Sequence, residues 1–359
     1  MNKKQKKRIF RILLFTGTAI SLFFVPWILV KAWIAPLPKT VQGVVNEAPK
    51  LGFDGIVVYA HQKGRKPQYY AAGWKNRKKK IPADPHVLFK IASIGKLYDA
   101  VAITQLVYNK KLSLDSTLAY YFPKLVGHIQ YANKITLRML VQHRSGIPNY
   151  TNTPNFWSNP PKSAQAALSL IINKPADFKP GTKYEYCNTN YLLISMLIRK
   201  VTGESTFQYI KKNILKPLNL KHTYGSIHQI NMDSLMSGYY VGVNHDIKSV
   251  DYGSMVATAH DVGEFVMALN DGTLLNPKEQ DIYSSIYKYN HTGLIPGYQS
   301  IVKYFKGMRT VVVQFTNTTN FSGYNWNLSE IIFHRIVKVL KKEQKAVDKV
   351  EKMKNRLKG

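Results

Sequence analysis

Residues 88–106 form the stretch "LFKIASIGKLYDAVAITQL", an apolar run with Ser93 and Lys96 one helical turn apart near its start. Past Lys96, only four polar side chains interrupt the run up to Val107. A helix that is apolar on nearly every side must be covered by protein on nearly every side. The stretch therefore predicts a buried helix that begins near Ser93 and lies at the centre of the fold.

The overall composition limits the protein to a few classes. With 359 residues, 45% of them apolar, the chain can bury the core of one large domain or two small ones. The 51 Lys and Arg residues against 20 Asp and Glu give a net charge of +31, which indicates an anionic partner. Nucleic acid, a membrane surface and a cell-wall phosphate polymer all remain open. Cys187 is the only cysteine, so no internal disulfide can form.

The N-terminal segment predicts a membrane anchor. Five basic residues precede position 9, and residues 12–30 carry no charge over a length that can cross a bilayer, about 20 residues. A basic flank followed by an apolar run is typical of an anchor with its N-terminus inside the cell. A cleaved signal peptide is the alternative, but Trp33 and Pro36 are poorly suited to cleavage after Ala35.

The order of predicted elements indicates one sheet with a helical insertion. Residues 55–60 and 69–74 predict one strand hairpin, and residues 297–305 and 308–316 predict another. The long segment between them is mostly helical, so both ends of the chain would build the same sheet. We predict a cytoplasmic segment and anchor (1–35), a linker (36–50), a folded domain (51–340) and a basic C-terminal tail (341–359).

Local capping signals place several helices in the insertion and after it. Thr136 and Ser163 each precede an apolar helical pattern, and Gly203 follows another. The pair Thr258 and Asp261 predicts a helix start. Gly272 predicts the end of that helix. A final helix is predicted near residues 327–340.

The spacing of Ser93 and Lys96 suits a nucleophile and its base. A serine hydroxyl needs a neighbouring base, and a lysine can act as one when burial or nearby charge favours its neutral form. The same spacing occurs at Ser285 and at Ser300. Ser300 lies in a predicted strand and Ser285 lacks a buried helix, so geometry favours Ser93, although a simple helix-capping serine remains open.

Two further stretches carry polar groups that could share this site. Tyr186 and Asn188 in "YEYCNTNY" would point the same way, one to relay a proton and the other to hold a lysine or substrate. Tyr131 and Asn133 match the same letters. In "NHTGLIPGY", residues 291–293 could admit a substrate carbonyl to a strand edge, with Thr292 and His291 as donors. A histidine without a catalytic role is the alternative there.

In this order, the stretches resemble the serine β-lactamase and penicillin-binding superfamily. The likeness is greatest to the branch of class C β-lactamases and D-alanyl-D-alanine carboxypeptidases, and it includes relatives that hydrolyse D-alanyl esters. It covers about residues 50–340, and its blocks are "LFKIASIGK", "ITLRMLVQHRSGIPNY", "FKPGTKYEYCNTNYLLISMLI", "ILKPLNLKHTYG", "SMVATAHDVGEF" and "HTGLIPGY". The resemblance implies a mixed α/β (α+β) fold, with an antiparallel sheet, flanking helices and an all-helical subdomain.

The resemblance also implies roles for the site residues. Ser93 would be acylated, Lys96 and Tyr186 would form the base system, and Asn188 would position them. The backbone N–H groups of Ser93 and Leu294 would form the oxyanion hole.

The chain departs from the family pattern in its third motif. His291-Thr292-Gly293 stands where relatives usually have Lys-Thr-Gly, whose lysine helps hold a substrate carboxylate. Leu294 is larger than the usual residue, which suggests a more apolar entrance.

These features lead to a hydrolase hypothesis with alternatives. A D-alanyl ester on teichoic acid has an ammonium, no carboxylate and a polyanionic carrier, so we expect an extracytoplasmic D-alanyl esterase, in a Gram-positive bacterium. A penicillin-binding carboxypeptidase, a β-lactamase and an inactive wall-binding module remain alternatives. The expected partners are a wall polymer and the membrane, with possible β-lactam binding. We expect no nucleic acid, cofactor or metal ion, because the sequence contains no matching motif.

Overall fold

The computed structural model describes residues 2–356, which fold into strands and helices in the order strands, helices, strands, helix after an N-terminal helical segment. The strands are β1 (Gly55–Gln62), β2 (Gln68–Asn76), β3 (Ile81–Pro82), β4 (Phe89–Lys90), β5 (Thr223–Tyr224), β6 (Tyr239–Tyr240), β7 (Val256–Ala257), β8 (His291–Ile295), β9 (Tyr298–Phe305), β10 (Thr310–Thr316) and β11 (Thr318–Thr319). The α-helices are α1 (Lys3–Phe23), α2 (Trp27–Ile34), α3 (Val41–Val45), α4 (Gly95–Tyr108), α5 (Leu118–Tyr121), α6 (Leu137–Val141), α7 (Ala164–Ser169), α8 (Asn188–Thr202), α9 (Thr206–Ile210), α10 (Ala259–Asp271), α11 (Pro277–Ile286) and α12 (Asn325–Arg356).

Both ends of the folded region contribute to one antiparallel sheet. Its strand order is β3-β2-β1-β10-β9-β8, and the central pair places Tyr59 of β1 opposite Val313 of β10. The hairpins β1–β2 and β9–β10 correspond to the two predicted hairpins. The prediction of a mixed α/β fold, with one main sheet built from distant segments, is therefore confirmed, and two small sheets, β11-β6 and β4-β7-β5, lie outside it.

The two faces of the sheet pack against different helices. In β1, Val57 and Tyr59 are buried in the cluster that contains residues of α4 and α10. Ile56 and Val58 are buried in a second cluster, with residues of α3 and α12. Successive strand residues point to opposite faces, so this alternation follows from the extended backbone. The sheet is thus covered by helices on both sides.

Helix α4 connects the sheet to a separate group of helices. Its first half contributes Leu97 and Val101 to the core against the sheet. Its second half contributes Ile103 and Leu106 to a cluster with apolar residues of α6, α7 and α8. All four side chains are at most 1% exposed, which confirms the prediction that this helix is central. The predicted helical subdomain is the group of helices around that second half.

Several helix boundaries follow the predicted capping signals. The Thr258 hydroxyl accepts a hydrogen bond from the Asp261 N–H at 3.2 Å, and Gly272 ends α10 with φ of +86°. Thr136 and Ser163 cap α6 and α7 in the same way. The start of α4 differs by two residues from the prediction, because Ser93 lies in a 3-10 turn, residues 92–94, immediately before Gly95.

The predicted linker at 36–50 is wrong, because most of this segment packs against the domain. Val41, Val44 and Val45 are at most 1% exposed and lie beneath α12 and β1. Arg335 of α12 pairs with Glu47 at 3.0 Å and donates hydrogen bonds to the carbonyl groups of residues 35 and 36. Folded structure therefore begins before residue 51.

The C-terminal tail predicted at 341–359 is helical over its described part. Helix α12 continues past the predicted end at Leu340 to Arg356. No glycine or proline occurs between 325 and 356, and the segment is rich in good helix formers such as lysine and glutamate. Local propensity therefore extends the helix beyond the last residues that contact the core.

The N-terminal apolar run is divided between two helices. Pro26 cannot donate a backbone hydrogen bond, and α1 and α2 meet there at an angle of 81°. Within residues 2–356, no single helix has both the length and the apolar character needed to cross a membrane. Taken together, the bent pair α1 and α2 meets that requirement by length and composition alone.

Candidate active site

The hydroxyl of Ser93 lies between the two side chains predicted to activate it. Lys96 Nζ donates a hydrogen bond to Ser93 Oγ at 3.1 Å, and the Tyr186 hydroxyl donates one at 2.7 Å. Lys96 is only 9% exposed. Both groups are within the distance over which a proton can pass directly from the serine. The structure therefore brings together three residues that are as much as 93 positions apart in sequence.

Asn188 holds the lysine in this arrangement. Its Oδ1 accepts a hydrogen bond from Lys96 Nζ at 2.9 Å, while its Nδ2 donates to the Thr151 hydroxyl at 3.0 Å. Its backbone N–H donates to Asn149 Oδ1 at 3.1 Å. Asn188 is the first residue of α8, so the helix fixes its backbone. This geometry matches the predicted role of a positioning amide.

The turn before Ser93 depends on close packing against the sheet edge. Ala92 has φ of +49°, a left-handed conformation that is costly for alanine, and its N–H donates to the Ser254 hydroxyl at 2.9 Å. Gly293 lies directly opposite. A Cβ there would be 2.5 Å from the Ile91 carbonyl oxygen and would also collide with the Ser300 hydroxyl. Glycine is thus required at 293 so that β8 can approach the nucleophile.

Strand β8 carries Leu294, whose backbone N–H is the predicted second donor of the oxyanion hole. It is an edge strand, paired only with β9 in the described sheet. The Thr292 N–H lies 2.9 Å from the imidazole Nδ1 of His291. Residues two apart in a strand direct their N–H groups to the same side, so we expect the Leu294 N–H to face the open edge. Leu294 and Thr292 both line the cavity in front of Ser93.

His291 is buried and hydrogen-bonded within the protein. It is 5% exposed, its Nε2 is 2.8 Å from the Tyr287 hydroxyl, and its Nδ1 faces the backbone of Thr292. Burial lowers the pKa of His291 to about 3, and the positive charge of Lys288 acts in the same direction. The imidazole is therefore neutral at pH 7, with both nitrogens occupied. The predicted role of His291 as a hydrogen-bond donor to substrate does not fit this geometry.

A second buried histidine, which the sequence reasoning missed, supports Tyr186. The rings of His143 and Tyr186 are stacked with centroids 4.4 Å apart, and His143 Nδ1 accepts a hydrogen bond from the Cys187 N–H at 3.1 Å. Burial lowers the pKa of His143 to about 3, so it is neutral as well. Its place in the block "QHRSGIPNY" was the only signal in the sequence.

The cavity in front of Ser93 has a volume of about 490 Å³, and none of the described residues that line it is acidic. Aromatic side chains form one wall. The rings of Phe156 and Trp157 are 4.8 Å apart, and those of Trp157 and Tyr252 are 5.7 Å apart. Lys288 also lines the cavity, and the sequence reasoning had dismissed it together with Ser285. The cavity thus combines cationic, aromatic and neutral polar groups.

The competing matches in the sequence lie elsewhere. Ser285 is on α11 and donates to a carbonyl of its own helix. Ser300 is 1% exposed in β9 and donates to the Ile91 carbonyl at 2.9 Å, so it fastens the turn before the nucleophile. Tyr131 and Asn133 line a different surface depression. Only Ser93 combines a cavity with two candidate bases.

The arrangement is suited to acyl transfer. Ser93 Oγ can attack a carbonyl carbon while its proton passes to Lys96 Nζ acting as a free amine, or to the Tyr186 oxygen acting as a phenolate. The N–H groups of Ser93 and Leu294 can then stabilise the negative oxygen that develops. The same bases can deliver a proton to the leaving group, and afterwards activate water against the acyl-serine ester.

Comparison with known families gives an independent result. The family model described as Beta-lactamase matches residues 33–287, well over half of the chain. Protein flp of Staphylococcus aureus (strain MW2) is 32% identical over 152 residues, which are 42% of this chain. The match covers only 30% of the length of Protein flp. PbpX of Bacillus subtilis (strain 168), whose name places it provisionally among penicillin-binding proteins, is 26% identical over 79% of this chain and 76% of its own length.

Solved structures show the same fold. The D-amino acid amidase from Ochrobactrum anthropi SV3, in complex with L-phenylalanine amide, aligns with a TM-score of 0.75 and 23% identity. That alignment covers 85% of this chain and 98% of the amidase. The penicillin-binding protein from Bacillus halodurans aligns with a TM-score of 0.67 and 22% identity, over 79% of this chain and 96% of that protein. The predicted sheet with a helical subdomain is shared with both.

Proposed function

Because this chain is a serine hydrolase that belongs to the β-lactamase family, we propose that it hydrolyses D-alanyl esters on lipoteichoic or wall teichoic acid. Ser93 Oγ attacks the ester carbonyl, and the bond to the polymer oxygen breaks as that oxygen takes a proton. Water then cleaves the D-alanyl-serine ester, which releases D-alanine and restores the serine.

The neutral state of His291 is the observation that carries this proposal. Members of the family usually have a lysine at this place, and that lysine holds a substrate carboxylate. Here the side chain is uncharged, and both of its nitrogens are hydrogen-bonded within the protein. A substrate without a carboxylate on the acyl group, such as a D-alanyl ester, needs no cation at that position.

The aromatic wall supports the same substrate. A D-alanyl ester carries an ammonium next to its carbonyl, and the described cavity offers no carboxylate to receive it. Ammonium groups bind to the faces of tryptophan and tyrosine rings with about 0.5–2 kcal/mol. Trp157 and Tyr252 lie together on the cavity wall, where they can provide such faces. The net charge of +31 suits a carrier polymer that bears many negatively charged phosphodiesters.

A product assay tests the proposed substrate. We expect the purified chain to release D-alanine from D-alanylated lipoteichoic acid with a kcat/KM at least about tenfold above that for D-alanyl-D-alanine muropeptides. The Ser93→Ala variant is the control for release without the enzyme. Cleavage of muropeptides without D-alanine release from the polymer would instead identify a carboxypeptidase, which is the alternative favoured by the similarity to PbpX.

The N-terminal helices support attachment of this hydrolase to the outer face of a cell membrane. Helix α1 has no buried residue, and its Phe15 and Phe23 are 79% and 88% exposed. Trp33 of α2 is 74% exposed. Large apolar side chains that are mostly exposed are suited to contact lipid. The basic residues before position 9 would remain on the cytoplasmic side.

Deletion of residues 1–23 tests this attachment. We expect the full chain to stay in the membrane fraction after a wash in 1 M salt, since apolar insertion resists screening. The shortened chain should be released, because α1 makes no buried contact with the domain and its loss leaves the core intact. Equal retention of both chains would contradict the anchor.

A further inference from the structure

Lys288 occupies a distinctive place at the edge of the active site. It lies in the short connection between α11, which ends at Ile286, and β8, which begins at His291. Its backbone carbonyl accepts a hydrogen bond from the Tyr283 hydroxyl at 2.8 Å, and Tyr283 is fully buried. The backbone is therefore held in place, while the side chain is exposed and lines the cavity with Ser93 and Lys96.

The ammonium of Lys288 has no partner among the described residues. No hydrogen bond or ion pair of its Nζ occurs in residues 2–356, and none of the described residues that line the cavity is acidic. Lys96, by contrast, is hydrogen-bonded to Ser93 and Asn188. Partial burial and the positive charge of Lys96 lower the pKa of Lys288. Both effects indicate a cation that lacks a counter-charge, which an anionic ligand would supply.

We propose that Lys288 binds a phosphate of the polymer backbone while the neighbouring D-alanyl ester lies at Ser93. This assignment rests on the proposed function, because the polymer carries a phosphodiester a few bonds from each esterified hydroxyl. A lysine suits this task, since phosphate accepts strong charge-assisted hydrogen bonds from an ammonium. The cavity thereby separates two parts of the substrate, with the D-alanyl ammonium at the aromatic wall and the phosphate at Lys288.

The proposal also gives a role to the charge of Lys288, which lies three residues before the neutral His291. His291 is turned inward and bonded to Tyr287, so it contributes no charge to the cavity. Lys288 places its charge in the cavity from the connection instead. The positive group is thus available to a substrate anion from a position different from that of the usual motif lysine.

Protection of Ser93 from covalent labelling measures this contact without any turnover. The full chain is labelled with a fluorescent fluorophosphonate at 150 mM salt, in the presence of increasing glycerophosphoglycerol, a minimal piece of the polymer without D-alanine. We expect Lys288→Met to raise the concentration for half-protection about tenfold, the loss of one hydrogen bond to a charged group. Lys288→Arg should stay near the wild-type value, which a role in packing would not predict.

A matched control separates the local contact from general attraction of anions. Lys278 is exposed, lies at the start of α11 and is outside the cavity, so Lys278→Met removes the same charge from the surface at the other end of that helix. Its half-protection concentration should equal that of the wild type. The proposal is overturned if glycerophosphoglycerol protects Ser93 of Lys288→Met as well as it protects the wild type. It is also overturned if Lys278→Met loses as much protection as Lys288→Met.

Two comparisons separate a phosphate ligand from a carboxylate ligand, and the phosphate contact from the esterase function. If Lys288→Met weakens protection by N-acetyl-D-alanyl-D-alanine but not by glycerophosphoglycerol, the bound group is a carboxylate and the phosphate assignment is wrong. If glycerophosphoglycerol protects through Lys288 while the wild type releases no D-alanine from teichoic acid, the phosphate contact stands and the esterase function fails.

Discussion

Replacement of Ser93 by alanine is expected to lower kcat on any acyl substrate by at least about a thousandfold. The hydroxyl is the only serine oxygen in the described cavity that is hydrogen-bonded to both Lys96 and Tyr186. Without it, no acyl-enzyme can form, and only the binding contributions of the cavity remain. D-alanine release and fluorophosphonate labelling should therefore disappear together.

Ser285→Ala is the matched control for this result. Ser285 has the same spacing to a lysine as Ser93, but its hydroxyl is bonded to the Ile282 carbonyl within α11. Its removal should leave both activity and labelling unchanged. Persistent labelling of the Ser93→Ala protein would show that the nucleophile is a different residue.

Removal of the Tyr186 hydroxyl is expected to produce the second-largest loss. In Tyr186→Phe, the ring can still stack on His143, but the 2.7 Å contact with Ser93 Oγ is lost. Proton transfer by a positioned side chain contributes about a hundredfold to ten-thousandfold, so we expect a decrease in kcat in that range. KM should change much less, since the phenol acts on the serine.

Tyr184→Phe provides the control for a change of the same kind. Tyr184 lies two residues earlier, is 60% exposed and makes no hydrogen bond through its hydroxyl within the described residues. Thermal unfolding of both variants should match the wild type. A Tyr186→Phe protein with activity within about threefold of the wild type would exclude the phenol from proton transfer.

Local signals in the sequence predicted the longest strands and several of the helices because those signals act over a few residues. The caps at Thr136, Ser163 and Thr258 satisfy backbone N–H groups wherever the helix packs, so their effect can be read without the fold. The hairpins were predicted from strand patterns separated by short turns. The prediction that both ends of the chain build one sheet followed from the order of elements and was also correct, because β1 pairs with β10.

The features that the sequence did not reveal depend on contacts between distant segments. Val41, Val44, Val45 and Ala48 form only a short apolar group near prolines, and they are buried by apolar residues of α12, which is distant in the sequence. His143 meets Tyr186 through the fold of the helical subdomain. Lys288 was dismissed together with Ser285 because no buried helix was predicted behind that serine, although its position before β8 brings Lys288 to the cavity.

The site also includes one residue whose predicted role changed. His291 belongs to the predicted third motif and was expected to donate a hydrogen bond to substrate. Burial makes it neutral, and its nitrogens are hydrogen-bonded within the protein. A sequence shows the residue type and cannot show which way a ring points. Thr292 and Leu294 line the cavity beside it, and these two leave polar or backbone groups of β8 for a substrate.

The position of α4 between two cores has a consequence for the working enzyme. Ser93 precedes the half of α4 that packs on the sheet, whereas Tyr186 and Asn188 belong to the helical subdomain around the other half. The 2.7 Å hydrogen bond from Tyr186 to Ser93 and the 2.9 Å hydrogen bond from Lys96 to Asn188 therefore join the core against the sheet to the helical subdomain. Hydrolysis requires the sheet core and the helical subdomain to keep this relative position. The catalytic rate therefore reports how well the two are aligned.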